Sequence, residues 1–189
     1  MNTLFQEKTL VVSLCEDEFI CGKFYLAENN IKNIVNTMYT STSGKITRLY
    51  FYVLNWLEYI DETEFIELVN SGEYDERIYS VFEKLCYYHK DTKTFGPVGI
   101  TNSDEGISIV FNYLLDIKAI HKFDTQRLAN LAYNTQLFLE NRIVEYFNHL
   151  HQLYPEYLNI AVKGDIFNNI KLRQRLNDLN WAREVNMYE

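Results

Sequence analysis

Four histidines, three cysteines and 26 aspartates and glutamates are the side chains with which this 189-residue chain could do acid–base, nucleophilic or metal chemistry. Glu145 and His149 stand four apart and would share one face of a helix as a carboxylate–imidazole pair. His149 and His151 are two apart, which on a helix points them about 200° away from each other, so they cannot clamp one ion together. No His-Glu-x-x-His accompanies them, and the further ligands that a metal needs are not in sight. His89 and His121 lie near predicted helix ends, where a protonated ring would suit the negative end of the dipole. Cys15 sits beside Glu16-Asp17-Glu18, an acidic setting that disfavours a thiolate nucleophile. Cys15, Cys21 and Cys86 form no Cys-x-x-Cys pair, and their odd count argues against a disulfide framework and a thiolate zinc site. Neither a Gly-x-Ser-x-Gly elbow nor a glycine-rich phosphate loop is present. Phe95-Gly96-Pro97-Val98-Gly99 has glycines that would let a ligand approach the backbone, yet Pro97 removes a donor that an anion would need. No catalytic residues, metal or cofactor are expected from these residues.

The strongest asymmetry is acidic. Residues 58–76 include Glu58, Asp61, Glu62, Glu64, Glu67, Glu73, Asp75 and Glu76 without a lysine or arginine, and Tyr59, Phe65 and Tyr74 are interleaved with them. Acids around exposed aromatics make a docking face for a basic protein, because charge steers the encounter and aromatics anchor it. Around two helix starts the same acids also complement helix dipoles. The candidate partner-binding residues are therefore Glu58, Tyr59, Asp61, Glu62, Glu64, Phe65, Glu67, Glu73 and Tyr74. The counterweight is Lys171-Leu172-Arg173-Gln174-Arg175 with Arg183 beyond, flanked by Asp165 and Asp178. That is too little for nucleic acid in a chain of net charge −8, which repels phosphate backbones. Fifteen tyrosines, 12 phenylalanines and two tryptophans leave aromatics to spare for a partner interface or self-association. The many asparagines read as composition.

Seven glycines and two prolines in 189 residues are few turn formers, which disfavours sandwiches and barrels and favours long helices with short polar connections. Residues 4–22 space Leu4, Leu10, Val11, Leu14 and Cys15 mostly as a helix, although Thr9-Leu10-Val11-Val12 also fits a short strand. Residues 24–38 are predicted helical, with Ile31, Ile34, Val35 and Met38 on one stripe. Thr40-Ser41-Thr42-Ser43-Gly44 breaks the chain before a third helix carrying Leu49, Tyr50, Val53, Leu54, Trp56, Leu57 and Ile60. Asp61 with Glu64 resembles a capping box opening a helix to about residue 70, which Ser71-Gly72 stops. Ile78, Val81, Phe82 and Leu85 predict a helix over 75–88, followed by an irregular stretch to residue 102. Ser103 caps a helix with Ile107, Val110, Phe111, Leu114 and Ile117. Asp124 opens the longest helix, with Leu128, Leu131, Ala132, Thr135, Leu139, Ile143, Tyr146, Phe147 and Leu150 in three–four spacing towards Pro155. A final helix is predicted over 165–183, with Ile166, Ile170, Leu176 and Leu179 inward. The expectation is one all-α domain over residues 1–189, a helical bundle of about seven or eight helices. The start lacks a leader pattern and no run approaches the ~20 apolar residues of a membrane span, so no membrane is expected and the cytoplasm is the default compartment.

Leu14-Cys15-Glu16, the Trp56-Leu57-Glu58 cluster, the interrupted middle and the closing long helices resemble the YjaG-like bacterial family of small helical domains of unknown function. This sequence has Asp17 where that family tends to put an arginine. The resemblance implies an all-α fold and nothing catalytic. Function is expected to be non-enzymatic binding: an immunity-type inhibitor that engages a basic protein through its acidic, aromatic-bearing face. The alternatives are a small-molecule or metal-dependent enzyme whose site is assembled from distant helices, including Glu145 and His149, and a structural or oligomeric protein.

Overall fold

The computed structural model describes residues 7–14, 23–28, 31–37, 50, 53, 54, 57, 62–85, 87–89, 94–96 and 125–188. Strand β1 (Thr9–Ser13), β2 (Lys23–Glu28) and β3 (Ile31–Thr37) come first, then helices α1 (Glu62–Ser71) and α2 (Glu76–Leu85). A small hairpin, β4 (Tyr87–His89) with β5 (Thr94–Gly96), precedes the long helix α3 (Thr125–Leu153). The chain then runs through β6 (Asn159–Lys163), a 3-10 turn (Asp165–Asn168), α4 (Ile170–Asn177) and β7 (Glu184–Met187).

These elements overturn the all-α expectation. Five strands form one mixed sheet in the order β3-β2-β1-β6-β7. β2 is antiparallel to β1 and β3, whereas β1–β6 and β6–β7 are parallel. The scarcity of glycine and proline did not forbid this sheet, because parallel neighbours are joined by crossovers instead of tight turns. The helix predicted over 24–38 is the β2–β3 pair, and the strand alternative for Thr9-Leu10-Val11-Val12 is the one adopted. The helix predicted over 165–183 divides into the 3-10 turn, α4 and a loop leading to β7. Helical bundle is likewise wrong as a description of the architecture, and the all-α fold implied by the YjaG-like resemblance is not the fold found.

Central strands β1 and β6 are buried along four of their five residues each. That is the pattern of strands covered on both faces, where apolar runs are continuous instead of alternating. One face supplies Leu10, Val12, Ile160 and Val162 to the main core, which they share with α1, α2, α3 and α4. The opposite face supplies Val11, Ala27 and Ala161 to a smaller cluster against Tyr188. Phe138, Tyr146 and Phe147 on α3 are almost completely buried. Fully burying an aromatic or aliphatic side chain of this size contributes about 1.5–3 kcal/mol.

Two polar arrangements orient the pieces. β6 leaves the sheet through Gly164, whose φ of 122° is a backbone conformation that a side chain would strain. Asn169 then caps α4 by accepting from the Leu172 amide at 2.8 Å, while its own amide group donates to Gln136 Oε1 at 2.8 Å and the Tyr50 hydroxyl at 2.7 Å. Gln136 returns a bond to Asn169 Oδ1 at 3.0 Å. This buried amide pair ties α4 to the middle of α3 and satisfies groups that would otherwise be costly to bury.

Candidate functional site

The acidic segment splits into a core side and a solvent side. On α1, Phe65 and Val69 are four apart and buried, whereas Glu64, Glu67 and Ser71 are exposed. Phe65 is fully enclosed and meets Tyr50 edge-on at 5.5 Å, so it is a core residue and not a surface anchor. Glu62 opens α1. Glu58, Tyr59 and Asp61 lie outside the described residues, as do Cys15, Cys21, Cys86 and His121.

Between α1 and α2, residues 72–75 are braced against α3. Gly72 approaches so closely that an added Cβ would lie 2.1 Å from the Ala129 carbonyl oxygen and 2.7 Å from Tyr133 Cβ. Gln126, Asn130 and Asn134 recur every four residues along that side of α3 and bind the turn's backbone. Gln126 donates to the Ser71 carbonyl at 3.2 Å, and Asn130 Oδ1 accepts from the Glu73 amide at 3.0 Å. Asn134, with no exposed surface, donates to the Glu73 carbonyl at 3.0 Å and accepts from the Asp75 amide at 3.1 Å. Every polar group of Asn134 is thereby occupied, since its amide also donates to the Asn130 carbonyl at 2.7 Å. Asp75 starts α2 by accepting from the Arg77 amide at 2.9 Å, and is half-buried.

With the backbone turned to α3, side chains Glu73 and Tyr74 stand in solvent, Tyr74 at 55% exposure. Tyr74 packs on Tyr79 with centroids 5.5 Å apart, Tyr79 meets Phe138 at 5.8 Å, and Phe138 meets Phe82 at 5.6 Å. The Tyr79 hydroxyl accepts from Asn141 at 2.9 Å. An aromatic row therefore runs from the core to the surface and ends on Tyr74. The Tyr74 phenol is held above its ordinary pKa by desolvation against its neighbours, then by Glu76, Tyr79, Glu83 and Asp75. The site thus has an exposed ring on a fixed turn, bordered by carboxylates.

Of the residues singled out from sequence, Glu73 and Tyr74 are brought together on this turn, and Glu64 and Glu67 lie on the outer face of α1. Glu83, Tyr79 and the three bracing amides were not singled out. The amide spacing 126, 130, 134 is the signal in the sequence that points to the amides.

Glu145 and His149 do share a face of α3, lining a groove of about 270 Å³ with Asn141, Val144, Asn148 and Gln152. Arg142 Nη1 lies 3.0 Å from Glu145 Oε2, so that carboxylate is engaged in an ion pair. Among the described residues, no three His, Cys, Asp or Glu side chains come together as a metal site. His151 points elsewhere, stacked flat on Trp181 at 4.2 Å, and the Trp181 indole donates to Asn148 at 2.7 Å. His89 falls in β4. Phe95 and Gly96 fall in β5, and the remainder of that glycine motif lies outside the described residues. Arg173 and Arg175 are exposed on α4, and Arg183 pairs with Glu7 at 3.0 Å. No described helix is long and apolar enough to cross a membrane. No protein-family model and no curated protein matches this sequence.

Proposed function

We propose that this chain is a non-enzymatic protein-binding module, an inhibitor of the immunity type that docks a basic protein on its acidic face. The observation that carries the reading is the braced turn at residues 72–75, which presents Tyr74 and Glu73 to solvent on a backbone already held by α3. Pre-ordering removes part of the entropic cost of association, and an exposed tyrosine is a common interface anchor. Glu64, Glu67, Glu73 and Glu76 supply the charge that steers a basic partner. The reading includes the cytoplasm as the working compartment, in keeping with three cysteines that cannot all pair. The test is recovery of a stoichiometric basic polypeptide with the tagged chain from its native host at low salt. A triple Glu64→Lys, Glu67→Lys, Glu73→Lys chain with unchanged far-UV circular dichroism should lose that polypeptide. Retention by the triple variant would refute the face.

A second reading, a small-molecule enzyme, has one observation in its favour: Glu145 and His149 line the same groove. Thermal stabilisation by a metabolite, lost in His149→Ala and kept in the triple lysine variant, would favour it over docking.

A further inference from the structure

The inner part of the aromatic row already seats a guanidinium. Arg142 lies over Phe138 with its guanidinium carbon 5.7 Å from the ring centroid. Its Nη1 reaches Glu145 at 3.0 Å and its Nη2 reaches Glu83 at 3.9 Å. One ring and two carboxylates thus hold one arginine. Two rings outward the same parts recur on the surface. Tyr74 is packed on one side by Tyr79, with Glu73, Asp75 and Glu76 adjoining it in the chain. Among the described residues no cation lies over the Tyr74 ring. Asp75 is spent on capping α2, which leaves Glu76 as an exposed carboxylate whose charge reaches the Tyr74 phenol, with Glu73 exposed next to Tyr74 in the chain.

We infer that Tyr74 is the seat of an arginine side chain of the basic partner, its guanidinium stacked on the ring and paired with Glu76. This rests on the docking reading above and goes beyond it by naming the anchor and the kind of cation. Arginine is favoured over lysine on physical grounds. A planar guanidinium stacks on a ring while its edge donors reach carboxylates, whereas a strongly hydrated ammonium does these things less well. The phenol hydroxyl is not needed for the stack.

Two fluorescein-labelled peptides of equal length and charge make the test, one with four arginines spaced by glycine and the other with four lysines. They are titrated into the full chain at low salt and followed by anisotropy. The arginine peptide should bind roughly fivefold more tightly than the lysine peptide. Tyr74→Phe should keep that preference, and Tyr74→Ala should bring arginine down to the lysine level with circular dichroism unchanged. Equal binding of both peptides to the unaltered chain, or a preference that survives Tyr74→Ala, would overturn the inference. The docking reading fails separately, if the triple lysine variant binds as well as the parent. Failure of both peptides to bind refutes the arginine seat and the acidic docking face together.

Discussion

Replacing Gly72 with alanine adds a single methyl group at the end of a helix, where the usual effect is mild stabilisation. Removing glycine's freedom from the unfolded chain gains about 0.4–1 kcal/mol wherever the folded backbone tolerates a side chain. Here the new Cβ would lie 2.1 Å from the Ala129 oxygen and 2.5 Å from its carbonyl carbon, both backbone atoms in the second turn of a 29-residue helix. Neither can move without unwinding α3, so the turn must lift away. Overpacking of this kind costs ~1–3 kcal/mol. Lifting also loosens the bonds from Gln126, Asn130 and Asn134, each worth ~1 kcal/mol net. The expected sum is about 3 kcal/mol of destabilisation, or a fall in Tm of roughly 6–12 °C for a chain of this size. Urea unfolding read by circular dichroism supplies the midpoint and slope, and a double-mutant cycle with Asn134→Ala supplies the coupling. The two changes should be strongly non-additive, because a lifted turn no longer uses Asn134. An unchanged or raised midpoint in Gly72→Ala would refute the close approach of the turn, and additive losses would refute its bracing by α3.

Phe65→Ala should cost about 3–5 kcal/mol as a core truncation, whereas Tyr74→Ala should stay within about 0.5 kcal/mol; equal losses in urea titrations would contradict their assignment to core and surface. Asn169→Ala should lose about 3 kcal/mol, because it removes a helix cap and the buried bonds that Asn169 makes to Gln136 and the Tyr50 hydroxyl. An exposed-cap effect below about 1 kcal/mol would mean that the amide pair is hydrated. The Tyr74 phenol should ionise above the ordinary tyrosine range, seen as the difference in 295 nm absorbance titrations between the parent and Tyr74→Phe. Its folded pKa is raised, so its contribution is complete below the unfolded value and lost as pH climbs through the folded one. A Tyr74 transition at or below the ordinary tyrosine value would contradict the carboxylate surround.

The helices were legible where a long apolar stripe had room to repeat. Leu131, Thr135, Leu139, Ile143, Tyr146 and Leu150 mark α3 with two sides of core, and Ser71-Gly72 ends α1 as residue type suggests. The sheet was hidden because each strand is short and its partner distant. Thr9–Ser13 has both faces buried, so it lacks the alternation that betrays a strand, and its parallel neighbour lies near residue 160. In β3, Ile31, Ile34 and Val35 imitate helical spacing, while Asn29-Asn30 between two β-branched and aromatic runs was a hairpin signal. Phe65 drew attention as an aromatic among acids, yet its four-residue spacing to Val69 belongs to the buried stripe. The docking turn itself was visible in Glu73 and Tyr74; what fixes it was not, because Gln126, Asn130 and Asn134 act on backbone groups about 55–60 residues away, and backbone groups carry no sequence signature.

The pairing of β1 with both β2 and β6 has a kinetic consequence. Thr9–Ser13 leaves the ribosome some 150 residues ahead of its parallel neighbour Asn159–Lys163. Throughout that interval the middle strand of the finished sheet has one edge unpaired and an apolar face waiting for α3. Helices α1, α2 and α3 can assemble on one another through nearer contacts, while the sheet closes only when β6 arrives. Synthesis order and assembly order therefore run opposite at the centre of the molecule. A nascent chain halted before residue 159 would carry an apolar strand with one edge unpaired, a task for a holdase rather than for faster folding.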